Sequence, residues 1–219
     1  MATLTEPHWE AAPDAIRRLW AVLARRTFIG QFYLAGGTAL ALQLGHRVSV
    51  DLDFFPIERE VDDPIRKEIV TALSAVAQVV VLEDVFGNLL LTVDSVRTGF
   101  FGYGYPLLKP TLLCGGVQLA SLEDIGLMKL DAVTDRANRK DFYDLYLIAQ
   151  SIPVDELVAM SKVKYPLVRD FDLMIYQGLT FFEIADKQDD PELLIDLNWN
   201  TVKSFFVDQT KRKAQQWFE

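Results

Sequence analysis

Asp51 and Asp53 stand one residue apart in RVSVDLDFF, downstream of the pair Gly36–Gly37 and the hydroxyl of Thr38. The alternation of residues 47–55 predicts a strand. Arg47, Ser49, Asp51 and Asp53 then share one face, with Val48, Val50 and Leu52 turned to a core on the other. Two anions side by side are unfavourable without a counter-charge. A divalent cation with a preference for hard oxygen supplies it, and Mg²⁺ commonly takes one or two carboxylates together with substrate phosphates. Upstream, the paired glycines let the backbone approach a ligand and adopt a positive φ. Thr38 is placed to cap the helix predicted over 38–44, whose free N–H groups can receive phosphate. Phosphate donors followed by a pair of acids suggest a site that handles a nucleoside triphosphate. Neither GxSxG nor GxxxxGK[ST] occurs, which excludes a nucleophile elbow and a P-loop.

The stretch GGTALALQLGHRVSVDLDFF, residues 36–55, resembles the motif of the polymerase-β-like nucleotidyltransferases, Gly-Gly/Ser followed by Asp-x-Asp. It is more closely similar to the AbiEii/MenT-like nucleotidyltransferase family, known as toxins of bacterial toxin–antitoxin systems. The run MKLDAVTDRANRKDFYDLYLI, residues 128–148, extends the match. The resemblance implies Mg²⁺-dependent transfer of a nucleoside monophosphate from an NTP to an acceptor, with pyrophosphate released. The acceptor it implies is RNA, such as a tRNA end, or a protein hydroxyl, and it also implies an antitoxin partner.

By the same resemblance Asp51 and Asp53 hold one or two Mg²⁺, and Gly36, Gly37 and Thr38 cradle the phosphates with Ser49 beside them. Lys129 and Arg47 offset the phosphate charge, and Asp144 orients or deprotonates the acceptor. Lys129 is expected to be partly exposed. The other reading of Lys129, Asp141 and Asp144 is a set of surface salt bridges, with Lys140 beside Asp144 at i, i+4. One departure stands out. The superfamily usually carries a third carboxylate on a later strand, but VRTGFFGYGY presents Gly99 or its neighbours there and no acid. The task passes to Asp144 or Asp141. A catalytically silent nucleotide- or partner-binding module that kept the fold is the alternative function.

The remaining elements must position these groups. Residues 13–29 show a helical apolar period through Ile16, Leu19, Trp20, Leu23 and Phe28. A strand is predicted over 31–35 and a helix over 63–77, with Pro64 in its first turn. Strands follow over 78–86, 88–95, 96–105 and 117–121, with turns at Gly87–Asn88 and Asp94–Ser95. Beyond them only helical periods occur, at 122–136, 139–151, 154–163, 167–185 and 199–217. Strands followed by helices predict an α+β fold: a nucleotidyltransferase domain over 1–120 with a mixed sheet, then a helical domain over 121–219.

Composition narrows the setting. A net charge of −9 argues against broad non-specific nucleic-acid binding. The basic groups Arg17/Arg18/Arg25/Arg26, Arg136/Arg139/Lys140 and Lys211/Arg212/Lys213 read as solvated helix faces or local patches. Cys114 is the single cysteine, so no internal disulfide or cysteine zinc site is expected. No apolar run is long enough for a membrane helix and no signal peptide is evident, so a cytoplasmic location is expected. His46 has two readings, contact with phosphate or base and closure of the helix end beside Gly45. Phe100, Phe101, Tyr103 and Tyr105 likewise read either as a base-stacking cluster or as core and rim.

Overall fold

The computed structural model describes residues 2–58 and 60–218. It divides into two compact units, Met1–Ser121 and Leu122–Glu219.

The strands of the first unit are β1 (Ala2–Thr3), β2 (Phe32–Ala35), β3 (Leu52–Pro56), β4 (Val79–Val85), β5 (Asn88–Val93), β6 (Val96–Phe101), β7 (Leu112–Cys114) and β8 (Val117–Leu119). Among the described residues they form one sheet in the order β1-β7-β8-β2-β3-β6-β5-β4. At its centre β3 runs antiparallel to β2 and parallel to β6, so the sheet is mixed. Helices α1 (Asp14–Leu23), α2 (Gly36–Leu44) and α3 (Asp63–Ser74) accompany it, giving the α+β class. One face of the central strands is an aromatic core. Phe54 stacks on Phe100 at 5.1 Å between centroids, and Phe32 meets the same ring edge-on. Strand alternation then sends Asp53 and Phe55 to the opposite face.

Local chemistry explains several boundaries. Ile16, Leu19, Trp20 and Leu23 are all buried, as a helix with a single apolar stripe requires. The helix ends there, and Phe28 reaches the core from a short 3₁₀ turn, Thr27–Gln31, rather than from a helix continuing to residue 29. In α3 the Asp62 side chain accepts a hydrogen bond from the Ile65 amide at 3.1 Å, a side-chain N-cap. The β5–β6 hairpin turns at Asp94 and Ser95, with φ values of 47° and 69°. Two left-handed residues in succession match the twist of paired strands.

The stretch before β3 departs from expectation. A strand over 47–55 does not form, because pairing in the sheet begins only at Leu52. The Ser49 amide instead donates to the Ala11 carbonyl at 3.0 Å. Val50 is 56% exposed, so of the three residues expected in the core only Leu52 reaches it fully. Strands β1 and β7 lie outside the predicted strands and carry no clear alternation; each is very short, β1 pairing with β7 and β7 also with β8.

The second unit contains helices α4 (Leu122–Asp135), α5 (Arg139–Ala149), α6 (Val154–Lys164), α7 (Phe171–Gly178) and α8 (Trp199–Phe218). Gly126 on α4 lets α5 and α6 approach, since a Cβ there would lie 3.1 Å from Leu157 and 3.3 Å from Ile148. Gly178 does the same for α7 against α4: a Cβ would lie 2.8 Å from the Val133 carbonyl oxygen. A single helix over 167–185 does not form. Pro166 and a left-handed Asp170, φ 53°, precede α7, which ends at Gly178. Among the described residues no helix is long and apolar enough to cross a membrane.

Candidate active site

The chain leaves β2 through Gly36, at φ +68°, and enters α2 directly. Only glycine adopts that conformation without strain. The two glycines present bare Cα atoms to the residues expected at the site. A Cβ on Gly36 would lie 3.2 Å from Asp53 Oδ2. On Gly37 it would lie 2.5 Å from Arg47 Nη2 and 3.0 Å from Ser49 Oγ. The structure therefore brings Gly36, Gly37, Arg47, Ser49 and Asp53 together at the start of α2.

Thr38 joins them in a different role from the one expected. The residue preceding α2 is Ala35, which offers no side-chain cap, so Thr38 lies inside the first turn and does not cap it. Its buried hydroxyl is shared between Ser49 Oγ at 2.9 Å and the Asp51 carbonyl, tying that turn to the segment that carries the acids. Arg47 is also buried, at 3% exposure, with Nη1 donating to the Val48 carbonyl. Asp51 and Asp53 flank the fully buried Leu52 and are themselves half-buried.

In the second unit Lys129 Nζ lies 2.6 Å from Asp141 Oδ1 and 2.6 Å from Asp144 Oδ2. Both carboxylates are fully buried, and Lys129 is 4% exposed. Arg136 Nε adds a contact of 3.1 Å to Asp141 Oδ2. Burial pushes the Asp141 carboxyl up, but Lys129 and then Arg136 outweigh it and hold it below its ordinary value. A second buried pair, Lys164 with Asp124 at 2.7 Å, joins α6 to α4.

Residues 17–218 match the family model described as nucleotidyl transferase AbiEii toxin, type IV toxin–antitoxin system. The chain belongs to the AbiEii family. An uncharacterized protein of Aquifex aeolicus is 35% identical over 193 residues, 86% of this chain and 88% of the relative. Two solved structures share the fold. The MenT4 nucleotidyltransferase toxin of Mycobacterium tuberculosis has a TM-score of 0.56 and 16% identity, over 89% of this chain and 82% of that one. JHP933 from Helicobacter pylori has a TM-score of 0.53 and 16% identity, over 91% and 89%.

As an AbiEii-family nucleotidyltransferase, the chain departs from its sequence-based reading at two places. Lys129 is not partly exposed, and its bonds with Asp141 and Asp144 are not surface salt bridges. Both Asp141 and Asp144 are occupied by Lys129, while Lys140 is exposed. Arg136, read as part of a solvated basic group, completes this network. A lysine within the apolar run IGLMKLDAV was the available signal, since a buried cation requires paired anions. No spacing rule links residues on two different helices, so the partners themselves were not legible.

Beside Asp53 on β6 there is no acid. Gly99 is the β6 neighbour of Asp53, and the Phe101 ring occupies the space a side chain would need. A Cβ on Gly99 would lie 2.1 Å from Phe101 Cζ. Phe100 belongs to the core, whereas Phe101, Tyr103 and Tyr105 are half-buried. For a divalent metal the donor set fits. Asp53 offers hard oxygens beside the bare Gly36, with the half-buried Asp51 two residues before it, and among the described residues no group of three or more acids, histidines or cysteines could hold a metal ion. Such a two-carboxylate set is what Mg²⁺ uses when substrate phosphates complete its shell.

Proposed function

We propose that this AbiEii-family chain transfers a nucleoside monophosphate from an NTP to an RNA end, such as that of a tRNA, and releases pyrophosphate. The supporting observation is the convergence of the Asp53 carboxylate, the Arg47 guanidinium and the Ser49 hydroxyl on the bare Cα atoms of Gly36 and Gly37. Gly36, Gly37 and the first turn of α2 offer backbone N–H groups to the β- and γ-phosphates. Arg47 offsets the charge of those phosphates, and Ser49 and Thr38 hold the turn in place. Asp51 and Asp53 would hold one or two Mg²⁺, whose chemistry is charge stabilisation of the phosphoryl oxygens in an in-line displacement.

Lys129 binds both Asp141 and Asp144, and against the effect of burial it holds the Asp141 carboxyl below its ordinary value. Asp144 is the group that the resemblance implies for orienting the acceptor; within its own unit it is bound by Lys129, and Asp141, held by Arg136 as well, keeps that lysine in place. The family description supports a toxin role with an antitoxin partner, acting in the cytoplasm where NTPs and RNA are found. The test is incubation with each labelled NTP, Mg²⁺ and total cellular RNA. Label on RNA that disappears in Asp51→Asn supports the reading. Label on protein alone would redirect the acceptor to a hydroxyl side chain, and NTP binding without transfer to anything would make the chain a silent binding module.

A further inference from the structure

Asp53 has two lateral neighbours in the sheet, Ala35 on β2 and Gly99 on β6. Ala35 leads directly into the phosphate-binding glycines. In an in-line displacement the leaving and attacking oxygens lie on opposite sides of the transferred phosphorus. With pyrophosphate departing on the Gly36–Gly37 side of Asp53, the acceptor enters from the β6 side. This inference rests on the transfer reading above and concerns what waits on that side.

An aromatic shelf waits there. Phe55 and Phe101 share by alternation the face of the sheet that carries Asp53, and Tyr103, just beyond β6, packs edge-on against Phe55. The Phe55 ring is 6.1 Å from Phe101 and 5.6 Å from Tyr103 between centroids, and all three are half-buried. Phe101 folds back over Gly99, one strand spacing, about 4.8 Å, from Asp53. Only a glycine at 99 leaves room for that ring. Arg97, exposed, lies on the same face of β6 by alternation. Aromatic faces next to a cation form a surface that takes single-stranded nucleic acid, since every base has a π-face to stack and every linkage a phosphate to neutralise.

We infer that Phe101 and Tyr103, supported by Phe55, form a subsite that stacks the terminal base of the RNA acceptor and so places its hydroxyl opposite the leaving pyrophosphate. Gly99 is then a specificity element: the position beside Asp53 on β6 holds no acid and is the seat of a base-stacking ring.

The test compares two short RNAs that differ only at the 3′-terminal residue, one with its base and one abasic with the same 3′-hydroxyl. Binding is read by fluorescence anisotropy, transfer by α-labelled NTP, and NTP affinity by titration with a non-hydrolysable analogue. The parent should favour the base-bearing RNA by about tenfold or more in binding. Phe101→Ala should bring the two RNAs near equality while NTP affinity stays unchanged, and Tyr103→Phe should keep the preference. Gly99→Ala serves as the second variant: it retains Phe101, but its methyl would lie 2.1 Å from the ring and push it aside, so the preference should fall as in Phe101→Ala. Equal binding of both RNAs by the parent, or a variant that loses NTP affinity and keeps the preference, would overturn the subsite. A parent that shows the preference yet moves no label would overturn the transfer reading and leave the subsite standing.

Discussion

Lys129 Nζ lies 2.6 Å from Asp144 Oδ2, and neither side chain is more than 5% exposed. Asp141 is the second anion on the same lysine, and Arg136 is the second cation. Two positive and two negative charges therefore close on one another. Removing one member leaves a buried charge uncompensated, which costs far more than the pair itself contributes.

Lys129→Met should accordingly destabilise the chain by about 3–5 kcal/mol, and Lys129→Met with Asp144→Asn should recover part of that loss. Denaturant unfolding of the two single variants and the double variant measures the coupling. Additive losses would mean that Lys129 and Asp144 do not depend on each other.

The same network sets an acid limb. Asp141 has its carboxyl lowered below 3.8 in the folded chain, because Lys129 and Arg136 overcome the opposing effect of burial. A depressed folded value contributes stability that is fully present above the unfolded value and lost as pH falls through the folded one. Melting temperature should therefore drop as pH falls below 3.8, and Asp141→Asn should flatten that drop while lowering stability at neutral pH. A parent and variant with parallel curves below that point would contradict it.

Asp51→Asn and Asp53→Asn should each reduce Mg²⁺-dependent transfer by about a hundredfold or more, since metal stabilisation of the phosphoryl oxygens is worth several kcal/mol. Without metal, Asp51→Asn should melt near the parent, because the half-buried Asp51 side chain stands just before β3, at the edge of the strand, and not in the core. Thermal melts with and without Mg²⁺ separate the cases. A variant that melts far below the parent in both conditions would make these acids structural.

Gly36→Ala should cost about 1–2 kcal/mol from its positive φ alone, and it would also press on Asp53 Oδ2, 3.2 Å from the added methyl. Gly37→Ala has no such backbone cost, but its methyl must displace the Arg47 guanidinium. It should weaken NTP use with little change in melting temperature. Calorimetric melts and NTP titration of both variants check this contrast.

Much of the first unit was legible because period and turn chemistry agree locally. The α1 stripe, the Asp94–Ser95 turn and the central strands all follow from residues close in sequence. Boundaries failed where a distant partner decided the outcome. Ser49 gives its amide to Ala11, which turns an alternating stretch into irregular chain. Lys129 shows the same limit at the site: its helix was legible, but Asp141 and Asp144 reach it from another. Phe101 over Gly99 was legible only in outline: a glycine inside a strand signals a bulge or the close approach of another group, but not which group.

The central claim is transfer of a nucleoside monophosphate with loss of pyrophosphate, and the position of the label tests it most directly. The chain is incubated with Mg²⁺, RNA and an NTP labelled either at the α- or the γ-phosphate, beside Asp51→Asn. Expected is α-label on the RNA and γ-label in pyrophosphate, both absent in the variant. γ-Label on the acceptor, or α-label transferred equally well by Asp51→Asn, would contradict it.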